Sequence, residues 1–484
     1  MTGELIFIPM PSLSHIASTM EIAKLLVHRD DRLSITVLLI SSQYTTSITT
    51  YINSLIASSD YDRIRFIHLP ELDSEEEPKR PFMSVIDDNK PIVKEAVTNL
   101  ALSFDPSHRL AGFVIDMFCV GMIEVADELG LPSYPFFTSS TSFLALQFHV
   151  QTLADEEEVD ITEFKNSDVM LPIPGLVNPL PAKTILPSAM LNKDWLPYVL
   201  NGARGFRKTK GIMVNSFAEI ESNAVTSLSN STVPPVYTVG PIINFKGDGQ
   251  DSDTCTAHKY SNIMTWLDDQ PPSSVLFLCF GSLGSFDEEQ VKEIARALEG
   301  SGHRFLWSLR RPPPKDKTMS FPTEYENFEE VLPEGFVDRT VGMGKVMGWA
   351  PQVAVLAHPS IGGFVTHCGW NSILESVWFG VPMAAWPLYA EQQFNAFHMV
   401  VELGLAVEIK MDYRKDYAIL GLQEERVSAE VIEKGIRCLM EEDNDARKKV
   451  KEMSEISRKA LMDGGSSHAV LGQFIEDVMN NISA

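Results

Sequence analysis

The stretch WAPQVAVLAHPSIGGFVTHCGWNSILESVWFGVPMAAWPLYAEQ, residues 349–392, interleaves short apolar runs with glycines, prolines and polar side chains. Residues 345–349, 363–366 and 382–386 read as buried parallel strands, mostly apolar and short. Two of these runs lead straight into a helix: Ala350, Pro351 and Gln352 begin one, and Gly369, Trp370, Asn371 and Ser372 open another. Polar residues therefore collect at the carboxyl ends of strands, where open α/β sheets take their ligands.

Outward from this stretch the pattern repeats. Residues 274–280 and 305–309 add two apolar runs, and the first half of the chain has its own at residues 5–8, 34–40, 64–69 and 110–115. Helical patterns such as residues 16–27 separate them, so the expected class is α/β, two doubly wound units in series. FKGDGQDSDT, residues 245–254, has the polar, glycine-containing composition of an exposed connection. The expected division is a first domain at 1–245, a linker at 246–260, a second domain at 261–465 and a terminal helix at 466–484. That helix carries Val470, Phe474, Ile475 and Val478 at helical spacing.

A chain of 484 residues exceeds one ordinary core, and 44% hydrophobic with 22% charged residues is a globular composition. The net charge of −25 opposes nucleic acid and anionic membranes, so an anionic ligand has to be held by local groups. Cys119, Cys255, Cys279, Cys368 and Cys438 are odd in number and lack metal-ligand spacing, which fits a reducing cytosol. With no leader pattern and no bilayer-length apolar run, a cytoplasmic monomer without membrane insertion is expected. The acidic clusters at 75–77 and 155–158, and the Asp-x-Asp fragments at 251–253 and 443–445, lie in polar stretches and read as solvent-facing. No metal site is expected.

Within the opening stretch, Trp349 stands at a strand's carboxyl edge, where an indole can stack on a base. A lone tryptophan would more simply fill a core; its neighbours argue otherwise. His367 follows a strand, and the helix opening at Gly369 offers free amide N–H groups and the positive end of its dipole, a place for a diphosphate. Gly369 allows close backbone approach, and His367, Asn371 and Ser372 add side-chain donors, although Asn371 and Ser372 also suit simple capping. Gln352 and Glu375 can bracket ribose hydroxyls, and Glu391 and Gln392 those of a hexose. The turn GSLGS after residues 275–280 can bring Ser282 to the same phosphates, although a Gly-Ser turn alone is more often just a turn.

PMPSLSH, residues 9–15, joins the first strand to the first helix, and Asp116 ends another strand of the same proposed sheet. His15 is then a candidate general base with Asp116 orienting its ring.

These features resemble the plant family 1 UDP-glycosyltransferases along essentially the whole chain: the N-terminal His motif, Asp116, the 349–392 box, Asp412-Tyr-Arg-Lys415 and Gly464-Gly-Ser-Ser467. The resemblance implies a GT-B fold, two Rossmann-like domains facing an interdomain cleft, with a UDP-sugar held mainly by the second. It implies His15 and Asp116 as the catalytic pair, and donor contacts from Ser14, Thr138, Ser282, Trp349, Ala350, Gln352, His367, Gly369, Trp370, Asn371, Ser372, Glu375, Glu391 and Gln392. Two positions depart: Ser14 replaces a common Gly, and Glu391 is longer than the common Asp. The implied reaction is inverting O-glucosylation of a hydrophobic plant small molecule, flavonoid, phenolic or triterpenoid, with UDP-glucose as donor substrate and no cofactor. Met10, Met83, Phe118, Phe143, Leu186 and Leu196 are candidate acceptor walls. A dehydrogenase is disfavoured because Gly-x-Gly-x-x-Gly is absent. A non-catalytic nucleotide-sugar or small-molecule binding protein of the same fold is the alternative.

Overall fold

The computed structural model describes residues 2–40, 52–53, 62–71, 82–245, 254–314, 322–423 and 425–483. The first half builds β1 (Thr2–Ile8), β2 (Leu33–Leu39), β3 (Ile64–His68), β4 (His108–Asp116), β5 (Ser133–Phe137), a small hairpin of β6 (Met170–Leu171) and β7 (Leu180–Pro181), then β8 (Ile212–Val214) and β9 (Val236–Thr238). The second half adds β10 (Val275–Cys279), β11 (Arg304–Ser308), β12 (Gly344–Met347), β13 (Ile361–Thr366), β14 (Met383–Ala385) and β15 (Ala406–Glu408). The sheets run β3-β2-β1-β4-β5-β8-β9 and β12-β11-β10-β13-β14-β15. All their pairings are parallel.

Each order reverses once, between β1 and β4 and between β10 and β13. Connections leave the sheet in opposite directions there, which opens a crevice at the strands' carboxyl ends. The apolar strand sequences follow from burial on both faces: Leu5, Ile6, Phe7 and Ile8 of β1 are all solvent-inaccessible. Helix Leu13–Arg29 packs Ile16, Met20, Ala23 and Leu26 inward and ends on His28 and Arg29, cations placed at the negative end of its dipole.

The final helix, Ser466–Ser483, returns from the second half to the first sheet. Leu471, Phe474, Ile475, Val478 and Met479 join the core of β1, β2 and helix Leu13–Arg29. Its polar side is tied as well: Asp477 accepts from Tyr237 Oη at 2.6 Å, Asn481 donates to Tyr134 Oη at 2.9 Å, and Ser467 Oγ donates to the Gly240 carbonyl at 2.6 Å.

The strands expected from apolar runs are present within one to three residues at either end. β8, β9 and β15, three residues each, carry too little periodicity to be read. Of the stretch expected as linker, residues 246–253 lie outside the described residues, and the chain is helical from Thr254 to Asp268. The clusters at 75–77 and 251–253 also lie outside the described residues. Asp155 to Glu158 are exposed, as are Asp443 and Asp445, while Asn444 caps the helix Asp445–Leu461. Among the described residues, Cys119, Cys279, Cys368 and Cys438 are free, no group of His, Cys, Asp and Glu is placed to hold a metal ion, and no helix is long and apolar enough to cross a membrane.

Candidate active site

His15 lies in the first turn of helix Leu13–Arg29, which follows β1, and Asp116 is the last residue of β4, so the two flank the reversal point of the first sheet. Their contact, His15 Nδ1 to Asp116 Oδ2, is 2.7 Å. The carboxylate is completely buried and the imidazole keeps about a fifth of its surface open (19%). A bond to a carboxylate assigns the ring proton to Nδ1 and leaves Nε2 a free lone pair. The other Asp116 oxygen accepts from Phe118 N at 3.0 Å, which fixes the carboxylate plane. Burial would push the His15 imidazole down, but the charge and hydrogen bond of Asp116, with the charge of Glu391, outweigh it and hold it above its ordinary 6.5.

Around this pair, Thr138 Oγ1 is 3.4 Å from His15 Nδ1, and the Phe118 ring is 5.4 Å from the imidazole. Thr138 follows β5, and the helix beyond it, Thr141–Asp155, is anchored by the buried carboxylate of Glu221, which accepts from Thr141 N and Ser142 N, both at 2.8 Å. An anion at a helix's positive end is favourable placement for a buried charge. Ser14 lies on the same turn as His15, its hydroxyl 3.4 Å from that of Ser12.

The second sheet presents its own reversal point. Gly281 follows β10 and His367 follows β13, strands that are neighbours. A side chain at Gly281 would place its Cβ 2.6 Å from His367 Nε2, and one at Gly369 would place it 2.5 Å away, so both glycines clear the space in front of that nitrogen. Burial pushes the His367 imidazole down to about 4, which keeps it neutral near pH 7. Its Nδ1 is buried without a partner among the described residues. Gly369 caps helix Trp370–Phe379 with no side-chain bond, leaving first-turn N–H groups for an anion. Cys368, between His367 and Gly369, is held at φ 62, a left-handed conformation costing about 1–3 kcal/mol for a residue with a side chain. Ser282 is exposed at the Gly281 turn.

Gln352, Ser372 and Glu375 form one cluster: Gln352 Nε2 donates to Ser372 Oγ at 2.8 Å and to Glu375 Oε2 at 2.7 Å. Ala350 is buried, and Trp349, half-buried just past β12, carries the Arg310 guanidinium 5.3 Å over its ring while its N–H reaches Glu324 at 3.1 Å. Ala390, at φ 58, turns the chain so that Glu391 comes within reach of the first half. There Ser139 Oγ donates to Glu391 at 3.4 Å, and burial pushes the Glu391 carboxyl up. Gln392 Oε1 accepts from Leu388 N at 2.9 Å and Tyr389 N at 3.1 Å.

Besides Glu391, two residues of the box have their side chains engaged across the halves. Trp370 is buried and donates Nε1 to the Asn215 carbonyl at 2.7 Å; Asn371 contacts the Asn215 amide at 3.3 Å and donates to Ser18 Oγ at 3.2 Å. Of the candidate acceptor walls, Phe118 lies beside His15, Phe143 and Leu186 belong to a buried cluster with Met117 and Phe137, Leu196 packs on that cluster, and Met10 packs on another. Met83 falls in helix Phe82–Asp88, its side chain outside the described residues. Sequence reasoning missed Ser139, Arg310, Asn215 and Glu221. Only the position of Ser139, directly after Thr138, offered a signal.

If the diphosphate lies between His367 and the helix opening, Gly281→Ala should weaken UDP binding roughly tenfold. It forces a side chain into φ 72 and into the imidazole. Titration calorimetry with UDP checks this, and unchanged affinity would place the diphosphate elsewhere.

The family described as UDP-glucoronosyl and UDP-glucosyl transferase matches residues 239–418. The UDP-glucose flavonoid 3-O-glucosyltransferase 6 of Fragaria ananassa is 54% identical, with 99% of each chain covered. Two solved structures are similar over 99% of this chain: a Siraitia grosvenorii transferase in complex with UDP (48% identity, 100% of that chain, TM-score 0.89) and Medicago truncatula UGT71G1 complexed with UDP-glucose (40%, 98%, 0.84). With the GT-B arrangement of two parallel sheets and this breadth of similarity, the chain belongs to the plant family 1 UDP-glycosyltransferases and is a glycosyltransferase enzyme.

Proposed function

We propose that the protein transfers glucose from UDP-glucose to a hydroxyl of a hydrophobic plant small molecule, with inversion at the anomeric carbon. The observation that carries this reading is the 2.7 Å His15–Asp116 contact at one sheet's reversal point, with a neutral His367 and an uncapped helix opening at the other's. In the proposed step, His15 Nε2 takes the acceptor's hydroxyl proton as its oxygen attacks the anomeric carbon. The bond to the diphosphate breaks, UDP leaves with the electron pair, and Asp116 stabilises the imidazolium. Amide N–H groups and His367 meet the charge on the leaving diphosphate, so no metal is invoked.

Trp349 and Ala350 would receive uracil, Gln352 and Glu375 the ribose, Ser282, Gly369, Asn371 and Ser372 the phosphates, and Glu391 and Gln392 the sugar. Ser14, Thr138 and Trp370 complete the donor side. Met10, Met83, Phe118, Phe143, Leu186 and Leu196 would face the acceptor. A flavonoid acceptor has the support of the Fragaria relative's name; a phenolic or triterpenoid is the wider class. The division into 1–245, 246–260, 261–465 and 466–484, a cytosolic location and a monomeric state complete the proposal.

Purified protein, UDP-glucose, EDTA and a panel of flavonoids, phenylpropanoids and triterpenoids test it by mass spectrometry and product NMR. A hexose mass gain with a β linkage is the expected result. An α linkage would exclude direct displacement, and UDP-glucose binding without any product would favour the binding-protein alternative.

A further inference from the structure

We propose that Arg414 is a positioning residue that shapes the acceptor wall and so selects which acceptor hydroxyl reaches His15. The inference rests on the glucosyltransferase reading above. Arg414 belongs to the second half but spends its guanidinium on the first. Nη1 donates to Ser188 Oγ at 2.9 Å, and Nη2 donates to the carbonyls of Thr184 at 2.6 Å and Leu186 at 2.7 Å. All three acceptors lie in or beside the turn joining helices Ala182–Ile185 and Ser188–Leu191. Arg414 is 7% exposed, so its charge is taken out of water, where Asp416 and Asp412 compensate it in part. A buried cation is costly, and an apolar residue would bind a turn's surroundings more cheaply unless carbonyl geometry had to be fixed.

That turn leads to the reacting groups. Leu186 packs in the cluster holding Met117, Phe137, Phe143 and Phe394. Met117 Sδ accepts from Thr138 Oγ1 at 3.6 Å, and Thr138 Oγ1 is 3.4 Å from His15 Nδ1. The residues flanking Arg414 are bonded to the donor side. Gln393 Nε2 donates to the Tyr413 carbonyl at 2.8 Å, Lys415 N donates to the Leu388 carbonyl at 2.6 Å, and Lys415 Nζ donates to Ser285 Oγ at 3.0 Å. One short segment thus holds the acceptor turn, the turn before Glu391 and the loop after β10 in a common frame. A displacement of the acceptor turn would move the acceptor against a donor that stays in place.

The test uses the full chain with UDP-glucose and quercetin, an acceptor with several hydroxyls. Arg414→Met and Arg414→Lys are compared with wild type for acceptor KM, donor KM, the ratio of glucoside regioisomers by chromatography, and thermal midpoint. Arg414→Met should raise acceptor KM about tenfold and shift the regioisomer ratio several-fold, with donor KM within about twofold; Arg414→Lys should recover part of both. An unchanged regioisomer ratio and acceptor KM, or donor and acceptor KM rising in equal proportion with a lowered midpoint, would overturn the proposal in favour of a plain structural brace. Should Arg414→Met fail to fold, Ser188→Ala removes one of the three bonds, along with the Ser188 bond to Asp416, and decides alone. A shift of about twofold in the regioisomer ratio supports the proposal, and no shift overturns it. A wild type that forms no glucoside from quercetin or any acceptor of the panel above overturns the glucosyltransferase reading and this inference together, whereas an active wild type with unaltered variants overturns only this inference.

Discussion

His15→Ala should lower turnover by about 10²- to 10⁴-fold while leaving UDP affinity within about twofold, because in the proposed mechanism it removes the group that takes the acceptor proton and nothing that the nucleotide touches. Stopped-time product assays beside UDP calorimetry would read the two effects separately. The pH profile adds a second readout. The reactive imidazole is the neutral one, so acceptor kcat/KM should climb with pH as His15 loses its proton. Its midpoint should lie above the ordinary 6.5, because Asp116 and Glu391 outweigh burial in raising it. Asp116→Asn removes the main raising influence, so the limb should move to lower pH as the rate falls. Near-wild-type turnover in His15→Ala would rule out His15 as the base, and parallel loss of UDP binding would mean that the substitution had damaged the site as a whole.

Removal of the final helix should abolish folding of the enzyme. Leu471, Phe474, Ile475, Val478 and Met479 are each less than a tenth exposed. At about 1.5–3 kcal/mol per buried apolar side chain, their combined contribution is comparable to the roughly 5–15 kcal/mol by which a domain is stable at all. Phe474 is the central residue, edge-on to Tyr134 at 5.2 Å and to Tyr237 at 5.3 Å. Phe474→Ala should therefore cost about 3–5 kcal/mol and lower the thermal midpoint on the order of 10 °C. The exposed neighbour Asn480→Ala should change little. A truncated chain that stays soluble and active, or a midpoint unmoved by Phe474→Ala, would contradict the packing described.

The long buried strands and the helix openings after them were legible because two periodic signals coincide there, an apolar run and a glycine or capping residue at its end. Residues 363–366 followed by Gly369 illustrate this. Ile212–Val214 and Val236–Thr238 leave no pattern, since their pairing is decided by the neighbours they add to. In the site, His15 and Asp116 were legible from their strand ends. The bonds that engage Trp370 with Asn215, Asn371 with Ser18 and Glu391 with Ser139 were not, because each joins residues more than a hundred positions apart. Arg310 over Trp349 is of the same kind: neither residue announces the other.

The return of helix Ser466–Ser483 to the first sheet means that the polypeptide passes between the two halves twice, once between Phe245 and Thr254 and again before Ser466. A single tether would act as a ball joint, free to swing and twist. Two tethers act as the pins of a door, and rotation about the line through them is the motion they resist least. The His15 edge and the His367 edge are thereby restrained against twisting past one another.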